Sequence, residues 1–340
     1  MAAALPHVPV LRERIVELFA AAPDGPVVDA TLGAAGHAAP VLEARRDRHG
    51  HARLIGLDRD PDALALARDR LGALNDDPRV EVTLVRTRFD ALADVLDELG
   101  VKRVAGVLFD LGISSMHVDR AERGFSYRQD GPLDMRMDPD APVSAATLVN
   151  ELDERELAGL LRRYADERFA ARIARAVVAA RPITSTVALA TIVRDAIPQA
   201  GRRKGGHPAT RTFQALRIAV NGELDALEAV LPQAIDRLVP DGICVALSYH
   251  SLEDRLVKRA FAAATTGCIC PPDLPICACG REPLAAPLVR RSEQPDAAEI
   301  AANPRASAAR LRAIRRTDVP PYDLDPRTDP ASGPHRSSNR

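Results

Sequence analysis

The chain has 340 residues, 46% hydrophobic and 27% charged, enough apolar material for one large or two modest domains and too much for a chain disordered throughout. No run approaches the ~20 consecutive apolar residues of a membrane span, and MAAALPHVPVLRER lacks a secretory signal's basic start and apolar core, so a cytoplasmic protein with no membrane partner is expected. Lys+Arg 46 against Asp+Glu 47 leaves a net charge of -1, which excludes a global field drawing the protein onto a polyanion and confines such contacts to local patches.

From Pro26 to about Arg120, short apolar or β-branched runs alternate with helical stretches, the rhythm of a parallel α/β sheet. Strands are expected at Val27–Ala30, Arg53–Leu57, Val80–Val85 and Val104–Phe109, with helices at His37–His49, Pro61–Leu74 and Asp90–Leu99 between them. Residues Arg120 to Pro142, rich in Gly, Pro, Asp and Met, read as a long loop leaving the sheet. Only helices follow: one capped by Ser144, one carrying Phe169, Ile173, Val177 and Ala180, and one capped by Thr186 that ends at Pro198. The α/β rhythm resumes with an apolar helical stripe over Glu223–Leu238, where Pro232 predicts a kink or break. A strand at Ile243–Tyr249, a helix at Leu252–Ala264 and a last strand at Ala308–Ile314 complete the pattern. The expected organisation is a discontinuous Rossmann-like α/β domain, 1–119 and 221–316, an inserted all-helical domain, 120–220, and a tail of disordered composition, 317–340.

The first strand runs directly into Asp29-Ala30-Thr31-Leu32-Gly33-Ala34-Ala35-Gly36-His37, small residues placed where backbone must approach a ligand at the carboxyl edge of a sheet. Asp58 ends the second strand 22 residues after Gly36, the position from which a carboxylate accepts ribose hydroxyls. The glycine spacing is not G-x-G-x-x-G, which favours an adenosyl cofactor without pyrophosphate, such as S-adenosylmethionine, over a dinucleotide. The bland reading of the same segment is an ordinary strand-to-helix turn.

The fourth strand ends in Asp110-Leu111-Gly112-Ile113-Ser114-Ser115, where a carboxylate can orient an amine that is a poor nucleophile; a loop cap is the alternative. After the fifth strand, Tyr249-His250-Ser251 brings an aromatic, an imidazole and a hydroxyl to the same edge. Ser251 with Asp254 also reads as a helix cap, which leaves Tyr249 and His250 for function, Tyr249 as a face on which an extruded base stacks.

Two basic runs without acids, Arg202, Arg203, Lys204, Arg211 and Arg217, then Arg305, Arg310, Arg312, Arg315 and Arg316, suit a phosphate backbone or form solvated faces. Cys268, Cys270, Cys277 and Cys279 form a C-x-C-x6-C-x-C cluster that four-thiolate zinc would accept. The spacing departs from the commoner C-x2-C knuckle, free thiols are the preferred reading, and no metal is assigned.

Taken together, His7-Val8-Pro9-Val10-Leu11, Asp29 to His37, IGLDRDP at Ile55–Pro61, Asp110 to Ser115, ERGFSYRQDGPLDMRMD at Glu122–Asp138, HPATRTFQALR at His207–Arg217, YHSLEDR at Tyr249–Arg255 and Asn303-Pro304-Arg305-Ala306 resemble the ribosomal RNA small subunit methyltransferase H family. The resemblance spans about residues 5–316. It implies a class I, S-adenosylmethionine-dependent methyltransferase that modifies the exocyclic N4 amine of one cytidine in 16S ribosomal RNA, at the decoding centre of the small subunit, with an inserted helical domain that helps hold RNA. It further implies cofactor contacts at Ala35, Gly36, His37, Asp58, Phe89, Asp110 and His117. The residues themselves supply the expected catalytic group, Asp110 to orient the amine or cofactor and Tyr249, His250 and Ser251 to line the base pocket. Ala35 stands where the family usually has Gly and His117 where Gln is common; contact at Ala35 is expected through backbone in an ordinary conformation. A DNA or protein methyltransferase, a nicotinamide dehydrogenase and a non-catalytic RNA-binding factor are the competing readings, and the sequence leaves a homodimer open.

Overall fold

The computed structural model describes residues 9–199, 207–268, 270 and 279–320. Arg202, Arg203, Lys204, Cys277 and the tail from 321 onward lie outside the described residues. The chain divides into two units, residues 1–112 with 226–340, and residues 113–225. Among the described residues no helix is long and apolar enough to cross a membrane.

The first unit is built on strands β1 (Val27–Asp29), β2 (Ala52–Asp58), β3 (Val80–Arg86), β4 (Val104–Asp110), β5 (Leu238–Ser248), β6 (Ala285–Pro287) and β7 (Arg310–Arg316). Among the described residues they form one sheet in the order β3-β2-β1-β4-β5-β7-β6. The strands from β3 to β5 pair in parallel, whereas β7 runs antiparallel to both β5 and β6. A parallel strand between two helical layers needs apolar side chains on both faces, and β4, VAGVLFD, is buried at every position but its last. Helices α1 (Arg12–Ala21), α2 (Ala38–His49) and α3 (Pro61–Asn75) supply Phe19, Leu42 and Leu64 to one face. On the other face α4 (Leu92–Glu98), α11 (Glu223–Asp236) and α12 (Ser251–Thr265) supply Leu96, Leu231 and Phe261. At Gly106 of β4 an added Cβ would lie 2.8 Å from Phe19 Cε1, so α1 packs on the strand only because that position is bare. Strand order reverses between β1 and β4, which makes the carboxyl end of those strands the place where a ligand has room.

Four local expectations change, one being that β5 starts at Leu238 rather than Ile243. α1 was not anticipated. Pro232 does not break α11, because Val230, Leu231, Ala234 and Ile235, each at most 1% exposed, hold the helix through the missing hydrogen bond. The last strand starts at Arg310 rather than Ala308, since Asn303 accepts from the Arg305 amide at 3.2 Å and caps a 3-10 turn over Pro304–Ala308.

The second unit is helical, with a short α5 (Ser115–Asp119), then α6 (Ala145–Glu151), α7 (Glu154–Ala165), α8 (Ala170–Ala179), α9 (Thr186–Ala196) and α10 (Thr210–Asn221). Its core gathers Val149, Leu161, Ile173, Val177, Leu189, Val193, Phe213 and Leu216. Ser144 caps α6 as expected and is answered by Thr147 in a capping box; α7, unanticipated, has a stronger box in which Asp153 and Glu156 cap each other's backbone. Ser185, not Thr186, caps α9. Thr186 is the first helical residue, and its hydroxyl accepts from the Gly131 amide and donates to the Gln129 carbonyl. The irregular segment before α6 is fastened by Asn221, which accepts from the Met137 amide at 2.8 Å and donates to the Met135 carbonyl at 2.7 Å. Two such bonds in a buried setting give a loop without repeating structure a fixed path.

Candidate active site

β1 delivers Asp29 to the carboxyl edge, where the chain turns sharply toward α2. The Thr31 amide donates to Asp29 Oδ1 at 3.1 Å, and the Thr31 hydroxyl accepts from the Asp110 amide at 2.6 Å, which ties the ends of β1 and β4 together. Asp29 is only 4% exposed, and burial pushes its carboxyl up to about pKa 7, an effect opposed by His37. His37 is also 4% exposed; its Nε2 stands 3.5 Å from Asp110 Oδ2, and neither ring nitrogen completes a hydrogen bond. A buried imidazole without a hydrogen-bond partner, beside two carboxylates, is an unfinished polar cluster.

The loop itself departs from the expectation. Ala35 is fully buried and has φ 57, the left-handed region, rather than an ordinary conformation. Its amide donates to the Leu32 carbonyl at 2.8 Å, so the tightness of the turn imposes the strain that Gly would avoid. At Gly36 an added Cβ would meet Pro9 Cγ at 2.6 Å, which explains both that glycine and the value of the proline near the N-terminus.

Asp58 ends β2 with one oxygen accepting from the Gly33 amide and the other from the Asp60 amide, each at 2.8 Å. The Thr87 amide donates to the Asp58 carbonyl at 3.0 Å, bringing the end of β3 alongside, and Phe89 follows with its ring edge-on to Phe109 at 6.2 Å.

Across the edge, Tyr249 donates its hydroxyl to Asp110 Oδ1 at 2.8 Å. Burial and the Asp110 carboxylate hold the phenol well above its usual value, so it stays a donor. The bare Gly112, at φ 90, lets the ring lie close; an added Cβ would be 3.4 Å from Tyr249 Cδ2. The cap of α12 is His250, not Ser251: its Nδ1 accepts from the Glu253 amide, and Glu253 answers the His250 backbone. The register is one residue earlier because the 98% buried Glu253, not Asp254, turns back, taking the Tyr249 amide at 2.7 Å. His250 Nε2 lies 3.0 Å from Glu253 Oε1, near enough for an ion pair when protonated but not aligned as a hydrogen bond. Ser251, the first helical residue, is exposed.

The first unit therefore brings together His37, Asp110 and Tyr249, and places Ala35, Gly36, Asp58 and Phe89 on neighbouring strand ends. His117 belongs to the second unit, where its buried ring lies over Phe125 at 4.8 Å. Sequence reasoning passed over Asp29, Thr31 and Glu253. The Asp-x-Thr turn straight after a strand was the available signal for the first two; Glu253 is recognisable only once α12 is seen to begin at Ser251.

The basic runs are partly consumed by the fold. Arg217 pairs with Glu223 at 2.8 Å, Arg312 forks onto Asp254 at 2.8 and 3.1 Å, and Arg316 is buried and donates to the Leu284 carbonyl at 2.6 Å. Arg211 on α10 and Arg310 on β7 stay exposed.

Residues 4–317 match the MraW methylase family. The chain is 50% identical over 311 residues to the ribosomal RNA small subunit methyltransferase H of Symbiobacterium thermophilum, covering 91% of this chain and 96% of that protein. It is 53% identical over 328 residues to the one from Mycobacterium avium (92% and 83% covered) and 48% identical over 314 residues to the one from Heliobacterium mobile (91% and 98%). Match and edge chemistry agree: this chain belongs to the MraW methylase family.

Proposed function

We propose that the protein methylates the exocyclic N4 amine of one cytidine in 16S ribosomal RNA, at the decoding centre of the small subunit in the cytoplasm, with S-adenosylmethionine as donor. The reading rests on relatives that carry the small-subunit methyltransferase H name over nearly the whole chain. One structural observation carries its chemistry: Asp110, with one oxygen held by Tyr249 and the other facing His37, sits where β4 opens onto the switch point of the sheet.

The edge fits the cofactor. Asp58 and Asp110 make it acidic, which suits a sulfonium and an ammonium, and the imidazole of His37 has donor and acceptor capacity to offer. Asp58 would take the ribose hydroxyls on its carboxylate, Phe89 would flank the adenine, and backbone at Ala35, Gly36 and His37 would follow the rest. S-adenosylmethionine supplies an electrophilic methyl on sulfur.

The cytosine amine is a weak nucleophile because its lone pair is delocalised into the ring. Asp110 would accept an amine hydrogen and turn the lone pair toward the methyl that the sulfonium would supply. Tyr249 acts as a positioning residue through its hydroxyl and offers its ring to an extruded base; His250 and Ser251 line the same pocket. The methylated amine, acidic once alkylated, loses its proton to water. The second unit, bearing exposed Arg211 and a Tyr127 ring stacked on His207 at 4.4 Å, serves as the RNA-holding domain.

Mass spectrometry of 16S rRNA nucleosides and fragments from cells with and without the protein tests the reading. One N4-methylated cytidine derivative should vanish on deletion and return with purified protein plus S-adenosylmethionine. An unchanged rRNA would remove the substrate while leaving fold and family intact.

A further inference from the structure

Outside the active site, the connection from α12 to β6 closes on itself. The outgoing arm leaves α12 at Thr265 and carries Gly267, Cys268 and Cys270; the returning arm carries Cys279, Gly280 and Arg281. Arg281 donates to the Ala263 carbonyl in the last turn of α12 at 3.4 Å. An added Cβ on Gly267 would lie 3.1 Å from Pro283 Cδ, so the two arms are in contact. At their meeting point the sulfurs of Cys268, Cys270 and Cys279 all lie within 4.8 Å of one another, with Cys268 and Cys279 at 3.8 Å.

That spacing is too long for a formed disulfide and is compatible with a shared metal ion. A disulfide requires about 2.05 Å between sulfurs. Tetrahedral zinc with Zn–S bonds of about 2.3 Å puts its sulfurs about 3.8 Å apart, because each S–Zn–S angle is close to 109°. The Cys270 amide points at Cys268 Sγ at 3.4 Å, an N–H to sulfur contact that steadies a metal-bound thiolate. We infer that Cys268, Cys270 and Cys279 form a structural zinc site that pins the α12–β6 connection. Cys277 lies outside the described residues. With 15 residues at about 1.5 Å rise, α12 separates its His250 end from the thiols by about 22 Å, so the metal stands apart from the methyl-transfer chemistry. Binding displaces the thiol protons and leaves three thiolates on one divalent cation, an arrangement that joins two chain segments eleven positions apart, Cys268 and Cys279.

The test is metal content of the full chain, purified without chelator and dialysed against a weak one, read by inductively coupled plasma mass spectrometry. Wild type should keep about one zinc per chain, and Cys268→Ser and Cys279→Ser should each fall at least about tenfold. Cys244→Ala should keep its zinc, because that thiol is buried in the sheet core. Should the serine variants fail to fold, cobalt added to zinc-stripped wild type decides alone: a thiolate-to-cobalt charge-transfer band supports the site. Wild type that is metal-free after dialysis and gives no such band overturns it, as does a Cys268–Cys279 disulfide found by non-reducing peptide mapping.

Discussion

The asparagines that fasten the helical unit and the polar groups at the carboxyl edge of the sheet behave in opposite ways. In the helical unit such groups close on nearby backbone: Asn221 joins the Met135 and Met137 peptides, and Asn150 both donates to and accepts from Ile183. At the edge of the sheet they stay open. His37 is buried with neither ring nitrogen hydrogen-bonded, Asp29 is buried with a raised pKa, and Ala35 holds a left-handed conformation that costs about 1 kcal/mol. The open and strained groups at the sheet edge are the ones that the proposed function uses.

Breaking the open cluster should have the largest effect. Asp110→Ala is expected to slow single-turnover methyl transfer about 10²–10³-fold with the fold intact by circular dichroism; an unchanged rate would remove Asp110 from amine orientation. Asp29 gives the comparison a pH signature. A carboxyl raised from 3.8 to about 7 binds its proton more tightly in the folded state, so its contribution is fully present below about pH 3.8 and fades as pH rises through 7. Asp29→Asn keeps an acceptor for Thr31 and should flatten the stability profile between those values, by roughly 2–4 kcal/mol in urea unfolding. An identical profile for the variant would show that Asp29 titrates normally.

In the helical unit, Asn221→Ala strands a buried amide and a buried carbonyl. It should lower that unit's stability by about 2–3 kcal/mol while calorimetric S-adenosylmethionine affinity is kept. A loss of both would erase the contrast. Asp58→Ala should do the reverse, weakening cofactor binding by about 1–3 kcal/mol, and an unaltered dissociation constant would refute the ribose assignment. The smallest effect belongs to Ala35→Gly. Relief of backbone strain offsets lost methyl burial and added unfolded-state entropy, so the midpoint should move by less than about 1 kcal/mol. A larger destabilisation would mean that the methyl packs more than the strained turn costs.

Periodicity is legible wherever a segment's burial is simple. The doubly buried strands β1, β2 and β4 read as apolar runs and were placed within one or two residues, because a parallel strand between helical layers tolerates little else. The carboxyl-edge residues Asp58, Asp110 and Tyr249 were likewise visible, since polar residues that end apolar strands stand out. What failed did so for non-local reasons. Pro232 sits in an unbroken helix because packing outweighs one lost hydrogen bond, and the cap of α12 moved to His250 because a buried Glu253 reaches back to it.

The sequence by itself determined the alternation of strands and helices, the strand-end carboxylates and the family, because these depend on residue type at fixed spacing. Only the tertiary structure decided that Ala35 is strained, that His37 faces Asp110, that Tyr249 holds Asp110 by its hydroxyl, that Arg312 and Arg316 serve the fold, and that three thiols converge across a loop. Apart from the Ala35 turn and the thiols, each is a contact between residues far apart in the chain, and burial and distance, which set its energy, are properties no local pattern encodes.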